Sequence, residues 1–222
     1  DGHWPKLLRQ EGALLLLPGY QSHATSLRST AERTLKDLIR MLKRHGAQDI
    51  VADYEPKDRP FGDGHLRGKI DLFYRTQAGK PVVIDLKFGS REDRESEMAN
   101  NTALQLAVYG FLIAGDELNP APGSAFYILT SHRWITGDEN VFDVPPVKTG
   151  KNGEPDMKTC WEQFQEIWRW RRVQLNARCV EITYTGTEHT RESEPLHQAW
   201  GPVENDGKYS DYVKLAGWRE DA

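Results

Sequence analysis

The chain reads as an α/β domain, and three observations carry that reading. An amphipathic helical stretch is followed by three strand-like runs, then by a second helix and one more strand. The second and third of those runs each hold an aspartate among apolar residues, at a spacing that a hairpin would bring together. At 222 residues, 38% apolar and 28% charged, the chain can bury a substantial core and has ordinary globular composition.

The elements follow in order. Ser29 to His45 repeats Leu35, Leu38, Ile39 and Leu42 at steps of three and four, with Gly46 as its stop. Ile50 to Glu55 is a first short strand. Leu66 to Arg75 and Lys80 to Lys87 form a hairpin around the Gln77-Ala-Gly-Lys80 turn. Arg91 to Met98 is dense in charge and reads as a solvated loop, with a flap over a substrate as the alternative. Thr102 to Ala114 is the second helix and Ser124 to Thr130 the last strand. Val144 to Pro155, with Pro145, Pro146, Gly150 and Gly153, reads as a loop or linker. Met157 to Arg178 is an amphipathic helix whose Trp161, Phe164, Ile167, Trp168 and Leu175 form an apolar stripe. The expected organisation is a core with its lead-in over 1–143, a linker at 144–155, and a helix and tail at 156–222 packed on that core. The tail is polar and irregular from Thr187 to Asp206; the aromatics from Tyr209 to Trp218 suffice to dock it back on the body.

The densest chemistry lies in Pro81-Val-Val-Ile-Asp-Leu-Lys-Phe-Gly89. Side chains alternate along a strand, so Asp85 and Lys87 share one side while Ile84 and Leu86 take the other. A carboxylate and an ammonium on an apolar strand are costly to bury unless paired or bound to a metal. The alternative is a surface ion pair on an edge strand, which Val82, Val83 and Ile84 argue against. Asp71, in Gly68-Lys-Ile-Asp-Leu-Phe-Tyr74, falls beside Asp85 across the hairpin. Two neighbouring carboxylates with a lysine next to them suit a hard divalent cation, which is a phosphodiester-cutting site in outline.

In this order of elements, with Gly-x-x-Asp71, then Asp85-x-Lys87, then Gln105-x-x-x-Tyr109, the sequence resembles the PD-(D/E)XK nuclease superfamily. Residues 29 to 131 carry the match. The resemblance implies a restriction-endonuclease-like core with a helical C-terminal extension. Gln105 and Tyr109, four apart and so on one helical face, make it similar to the RecB-like branch, whose nuclease domains are often coupled to a helicase. It implies Mg²⁺ or Mn²⁺ held by Asp71, Asp85, the Leu86 carbonyl and Glu32. It implies that Lys87 orients the attacking water and that Gln105 and Tyr109 position the strand or the lysine. It further implies DNA as substrate, 5′-phosphate ends, and an upstream helicase-like region or subunit as partner. Recombination repair and antiphage defence are both settings the resemblance allows.

Glu32 has a second reading, a capping box with Ser29 as N-cap. His23 is an alternative for the first-helix ligand, His65 reads as a loop histidine, and Glu55 as solvated. Arg169, Arg171 and Arg172 beside Trp170 could grip a single strand by phosphate contact and stacking; the plainer reading is a solvated face over buried tryptophans. Nothing in the residues separates DNA from RNA, and a catalytically silent nucleic-acid-binding or scaffold domain is the alternative to an enzyme.

Composition removes other classes. The net charge of −4 argues against a non-specific nucleic-acid coat, although an acidic metal site needs only a local basic patch. No run of about eighteen apolar residues exists, so no membrane span is expected. Two cysteines, Cys160 and Cys179, exclude a four-cysteine iron–sulfur cluster within this chain. A disulfide between them is conceivable; reduced thiols fit the expected bacterial-type cytoplasmic location. Asp1 opens without an initiator Met, so a piece of a longer polypeptide is expected.

Overall fold

A computed structural model describes residues 3–138, 144–147 and 156–178. Its centre is a five-stranded mixed sheet. β1 (Gln48–Tyr54), β4 (Ile70–Arg75), β5 (Pro81–Lys87), β6 (Gly123–Ile128) and β7 (Arg133–Ile135) lie side by side in that order. β5 and β6 are parallel and the other pairings antiparallel. Parallel neighbours need a crossover, and α4 (Leu104–Ala114) supplies it. A separate hairpin, β2 (Arg59–Phe61) with β3 (Gly64–Leu66), interrupts the chain between β1 and β4.

The sheet is covered on both sides. One core joins Leu38 and Leu42 of α2 (Gln21–Arg44) to Leu72, Tyr74, Val82, Ile84, Ala125 and Tyr127. The other joins Leu106 and Tyr109 of α4 to Phe73, Val83, Phe126 and Ile128, with Met98 beside them. These are the alternate residues of the same strands, as a period of two requires. The helix, three strands, helix, strand order is present as α2, β1, β4, β5, α4 and β6.

Several expectations are corrected. The helix expected from Ser29 begins at Gln21, so Ser29 sits mid-helix and cannot be an N-cap. Of its four apolar repeats only Leu38 and Leu42 are buried; Leu35 and Ile39 are exposed. The single strand expected over Leu66 to Arg75 is split into β3 and β4, because residues 59–66 turn back on themselves through Gly62, at φ 56°. The charged loop at Arg91–Met98 is a helix, α3 (Arg91–Ala99). Ser90 caps it by accepting from Asp93 N, Arg91 pairs with Glu95 one turn on, and Met98 anchors it.

In the 144–155 segment, Val144 and Val147 pack against the two cores, and Val147 N–H donates to the Thr136 carbonyl at 2.8 Å. α5 (Met157–Asn176) starts at the N-cap Asp156 and packs on α4. Gly110 permits the approach, since a Cβ there would sit 2.0 Å from Met157 Sδ. Trp161 stacks on Phe111 at 4.4 Å between centroids and is fully buried, whereas Leu175, expected in the stripe, is exposed. Cys160 is a buried free thiol, pushed up to about 12 chiefly by burial. Cys179 and the tail expected to dock from Tyr209 to Trp218 lie outside the described residues.

Candidate active site

The site forms where the β4–β5 ladder ends. Leu72↔Ile84 is the last pair of that register at this end. Beyond it Asp71, not a backbone group, meets β5: its Oδ2 accepts from Leu86 N at 2.8 Å. On the other side of β5 the Lys87 carbonyl accepts from Leu129 N at 2.8 Å. The N–H and C=O of one strand residue point the same way, so the Leu86 carbonyl also turns toward Asp71.

Asp85 is fully buried, and Lys87 Nζ lies 2.7 Å from its Oδ2. The contact is ionic and poorly angled, since Asp85 Oδ2 has no well-directed hydrogen bond. Lys87 Nζ donates instead to Gln105 Oε1 at 2.6 Å. Gln105 Nε2 donates to Tyr109 Oη at 2.7 Å, and Tyr109 donates a long bond of 3.4 Å back to Asp85 Oδ1. Lysine can only donate, so this order also fixes the orientation of the Gln105 amide. Lys87, Gln105, Tyr109 and Asp85 thus close a circuit in which α4, through two residues four apart, holds the end of β5.

Burial is the largest influence on Asp85 and raises its pKa above the ordinary carboxylate range. Lys87 opposes that, Asp71 adds to it, and Tyr109 opposes it by hydrogen bonding. The Tyr109 hydroxyl is pushed up to about 12, first by burial and then by the charges of Asp85 and Asp71. It therefore stays a donor at neutral pH.

These residues fit a hard divalent cation. Asp85 offers a buried oxygen without a good hydrogen bond, Asp71 a second carboxylate, and Leu86 a carbonyl on the same side. Oxygen donors of this kind are what Mg²⁺ and Mn²⁺ take. Among the described residues no group of three or more His, Cys, Asp or Glu is assembled to hold a metal, so Glu32 is not gathered with Asp71 and Asp85. Its carboxylate pairs with Arg28 one turn away at 2.8 Å, which holds it below the usual carboxylate range. His23 is exposed on α2 and His65 exposed on β3.

Two of the three α5 arginines have partners within the chain. Arg172 pairs with Asp63 of the β2–β3 turn at 2.9 Å. Arg171 stacks over Trp170 at 4.4 Å and donates to Gln174 at 3.0 Å. Arg169, with Trp168 and Gly62, lines a small hollow of about 210 Å³.

Sequence reasoning missed the tie between α2 and this site. Thr34 Oγ1 donates to the Leu129 carbonyl at 2.9 Å, and Leu129 N–H donates to Lys87. A threonine inside a helix gives no signal of such a role.

A mixed sheet flanked by helices, with two carboxylates and a lysine at its open end, defines a restriction-endonuclease-like fold. A family model of the PD-(D/E)XK nuclease superfamily matches residues 2–194, and the chain belongs to that superfamily. No match was found among curated proteins.

Proposed function

We propose that the chain is a metal-dependent nuclease that hydrolyses phosphodiester bonds in DNA and leaves 5′-phosphate ends. The observation that carries this is the Lys87–Gln105–Tyr109–Asp85 circuit, with Asp71 bonded to Leu86 N between Asp85 and Lys87. A silent scaffold has no need to hold a lysine against a buried carboxylate at the cost of desolvating both.

Asp71, Asp85 and the Leu86 carbonyl would hold Mg²⁺ or Mn²⁺; Glu32, the fourth ligand of the RecB-like reading, would have to leave Arg28 to join them. When bound, the ion supplies polarisation of the phosphoryl oxygen and acidification of a water. Lys87 is then the group that orients the attacking water and stabilises charge building on the phosphate. Gln105 fixes the lysine by accepting from Nζ, and Tyr109 fixes Gln105 by accepting from its amide. The α5 arginines Arg169, Arg171 and Arg172 are the remaining proposed contacts to nucleic acid. The Gln105–Tyr109 pair favours the RecB-like branch and, with it, a nuclease domain coupled to a helicase-like region in repair, recombination or defence.

The test is cleavage of end-labelled single- and double-stranded DNA with Mg²⁺, Mn²⁺ or EDTA, wild type beside Lys87→Ala. Cutting that needs metal and is lost in the variant supports the enzyme. Binding without cutting in the wild type replaces it with a scaffold. Glu32→Gln with unchanged Mn²⁺ affinity removes Glu32 from the ligand set.

A further inference from the structure

α2 is longer than the sheet it covers, and the excess lies at the catalytic end. Its last turns reach Gly46, beside Gln77 of the β4–β5 turn, at the far end of β5 from Lys87. Thr34 marks the other limit, bonded to Leu129 next to Lys87. The helix nevertheless begins at Gln21, so its first half runs on for about 20 Å past the edge where Lys87 sits. α1 (His3–Glu11), with the 3₁₀ turn Ala13–Leu16, folds back beside this overhang.

Between α1 and the overhang lies a groove of about 530 Å³. Trp4, Lys6 and Leu7 line it from α1, and Arg28, Glu32 and Leu35 from α2. Leu7 and Leu35 are about half exposed, so the groove offers apolar surface to an occupant. Its charge is opposite to that of the chain. Lys6 and Arg28 line it against one acid, Glu32, which pairs with Arg28, so the lining is net +1 within a protein of net −4. An aromatic ring beside a lysine on apolar walls is a combination that binds unpaired bases and their phosphates. A duplex is too wide to enter a groove between two helices.

We propose that this groove guides single-stranded nucleic acid to the Lys87 edge, with Trp4 stacking on a base and Lys6 meeting phosphate. The proposal rests on the nuclease reading for the identity of the site it leads to. Trp4 and Lys6 take no part in the bond chemistry.

The experiment uses the full chain with Trp4→Ala and Lys6→Glu. Binding of a fluorescein-labelled oligothymidylate and of a duplex of equal length is followed by anisotropy in EDTA across a salt series. Hydrolysis of bis(p-nitrophenyl) phosphate with Mn²⁺, a diester too small to need the groove, is followed alongside. Trp4→Ala is expected to weaken single-strand binding about fivefold or more. Lys6→Glu, at an exposed position that leaves packing intact, is expected to flatten the salt slope by about 0.7 or more. Duplex binding and diester hydrolysis stay at wild-type level in both. Single-strand affinity unchanged in both variants, or equal losses for strand and duplex, overturns the groove, as does a wild type that binds no single strand. A wild type that binds the strand through Trp4 and Lys6 but leaves the small diester intact overturns the nuclease reading and supports the groove.

Discussion

The two faces of the central sheet are built from alternate residues of the same strands, yet they end differently. Toward α2, Leu72, Tyr74, Val82 and Ile84 form an apolar layer under Leu38 and Leu42. Toward α4, Phe73 and Val83 begin the same way, but the next residue along β5 on that face is Asp85, fully buried, followed by Lys87. One face spends its burial on cohesion. The other holds a carboxylate whose ionised form burial disfavours, and keeps it there with a lysine, a glutamine and a tyrosine. Neighbouring positions on one strand therefore have opposite duties, and substitutions at them should separate stability from activity.

The largest effect is expected at Lys87. Lys87→Ala should lower cleavage by about 10²–10³-fold or more, the usual cost of losing a group that meets developing charge. Mn²⁺ affinity, read by calorimetry, should not weaken, because the ammonium sits 2.7 Å from the Asp85 oxygen that a metal would use. Weaker metal binding in this variant would mean that Lys87 shapes the site instead of competing for it.

On the opposite face, Ile84→Ala should remove about 2–5 kcal/mol from the unfolding free energy in urea, since Ile84 is fully buried. The fraction that remains folded should cut at the wild-type rate. A selective loss of rate would show that the two faces are coupled through β5.

Gln105→Ala lies between these. It frees Lys87 from its 2.6 Å acceptor and Tyr109 from its 2.7 Å donor. Rates should fall about 10–100-fold with KM little changed, the range typical when a group that orients a reacting residue is lost. A rise in KM alone would make Gln105 a substrate contact.

The contrast between the faces was legible in the sequence because a period of two assigns sides without a structure. Asp71, Asp85 and Lys87 were placed together by that rule, and Gln105 and Tyr109 by a spacing of four on one helix. What escaped was set by local chemistry that charge density and helix length concealed. α3 looked like a solvated loop, although Ser90 with Asp93 is an N-terminal cap and Arg91 with Glu95 an i,i+4 pair. The Gly62-Asp-Gly64 turn is the signal for β2–β3, which the continuous run from Leu66 into Asp71 conceals. The apolar pattern marks α2 only from Ser29, eight residues after its start, because Gln21 to Ser26 offers little of it. A start at Ser29 makes Glu32 a cap candidate, whereas the longer helix makes it the mid-helix partner of Arg28.

The smallest expected effect concerns pH and tests whether the charged face is under strain. Burial raises the Asp85 pKa in the folded chain, with Asp71 adding to the shift and Lys87 and Tyr109 opposing it. A raised folded-state pKa means that the native state binds the proton more tightly than the unfolded chain does. The stability this contributes is fully present below the unfolded carboxylate value and is lost as pH rises through the higher folded one. Above that folded value and without metal, ionised Asp85 thus weakens the fold. Asp85→Asn should be more stable than wild type there in EDTA, and its stability should vary less with pH across that window, as thermal melts would show. The variant should also gain less from added Mn²⁺ than wild type, because a ligand stabilises only the state that binds it. If Asp85→Asn instead melts lower in that range, the ion pair with Lys87 outweighs the burial of the carboxylate, and the charged end of β5 contributes to cohesion as the apolar face does.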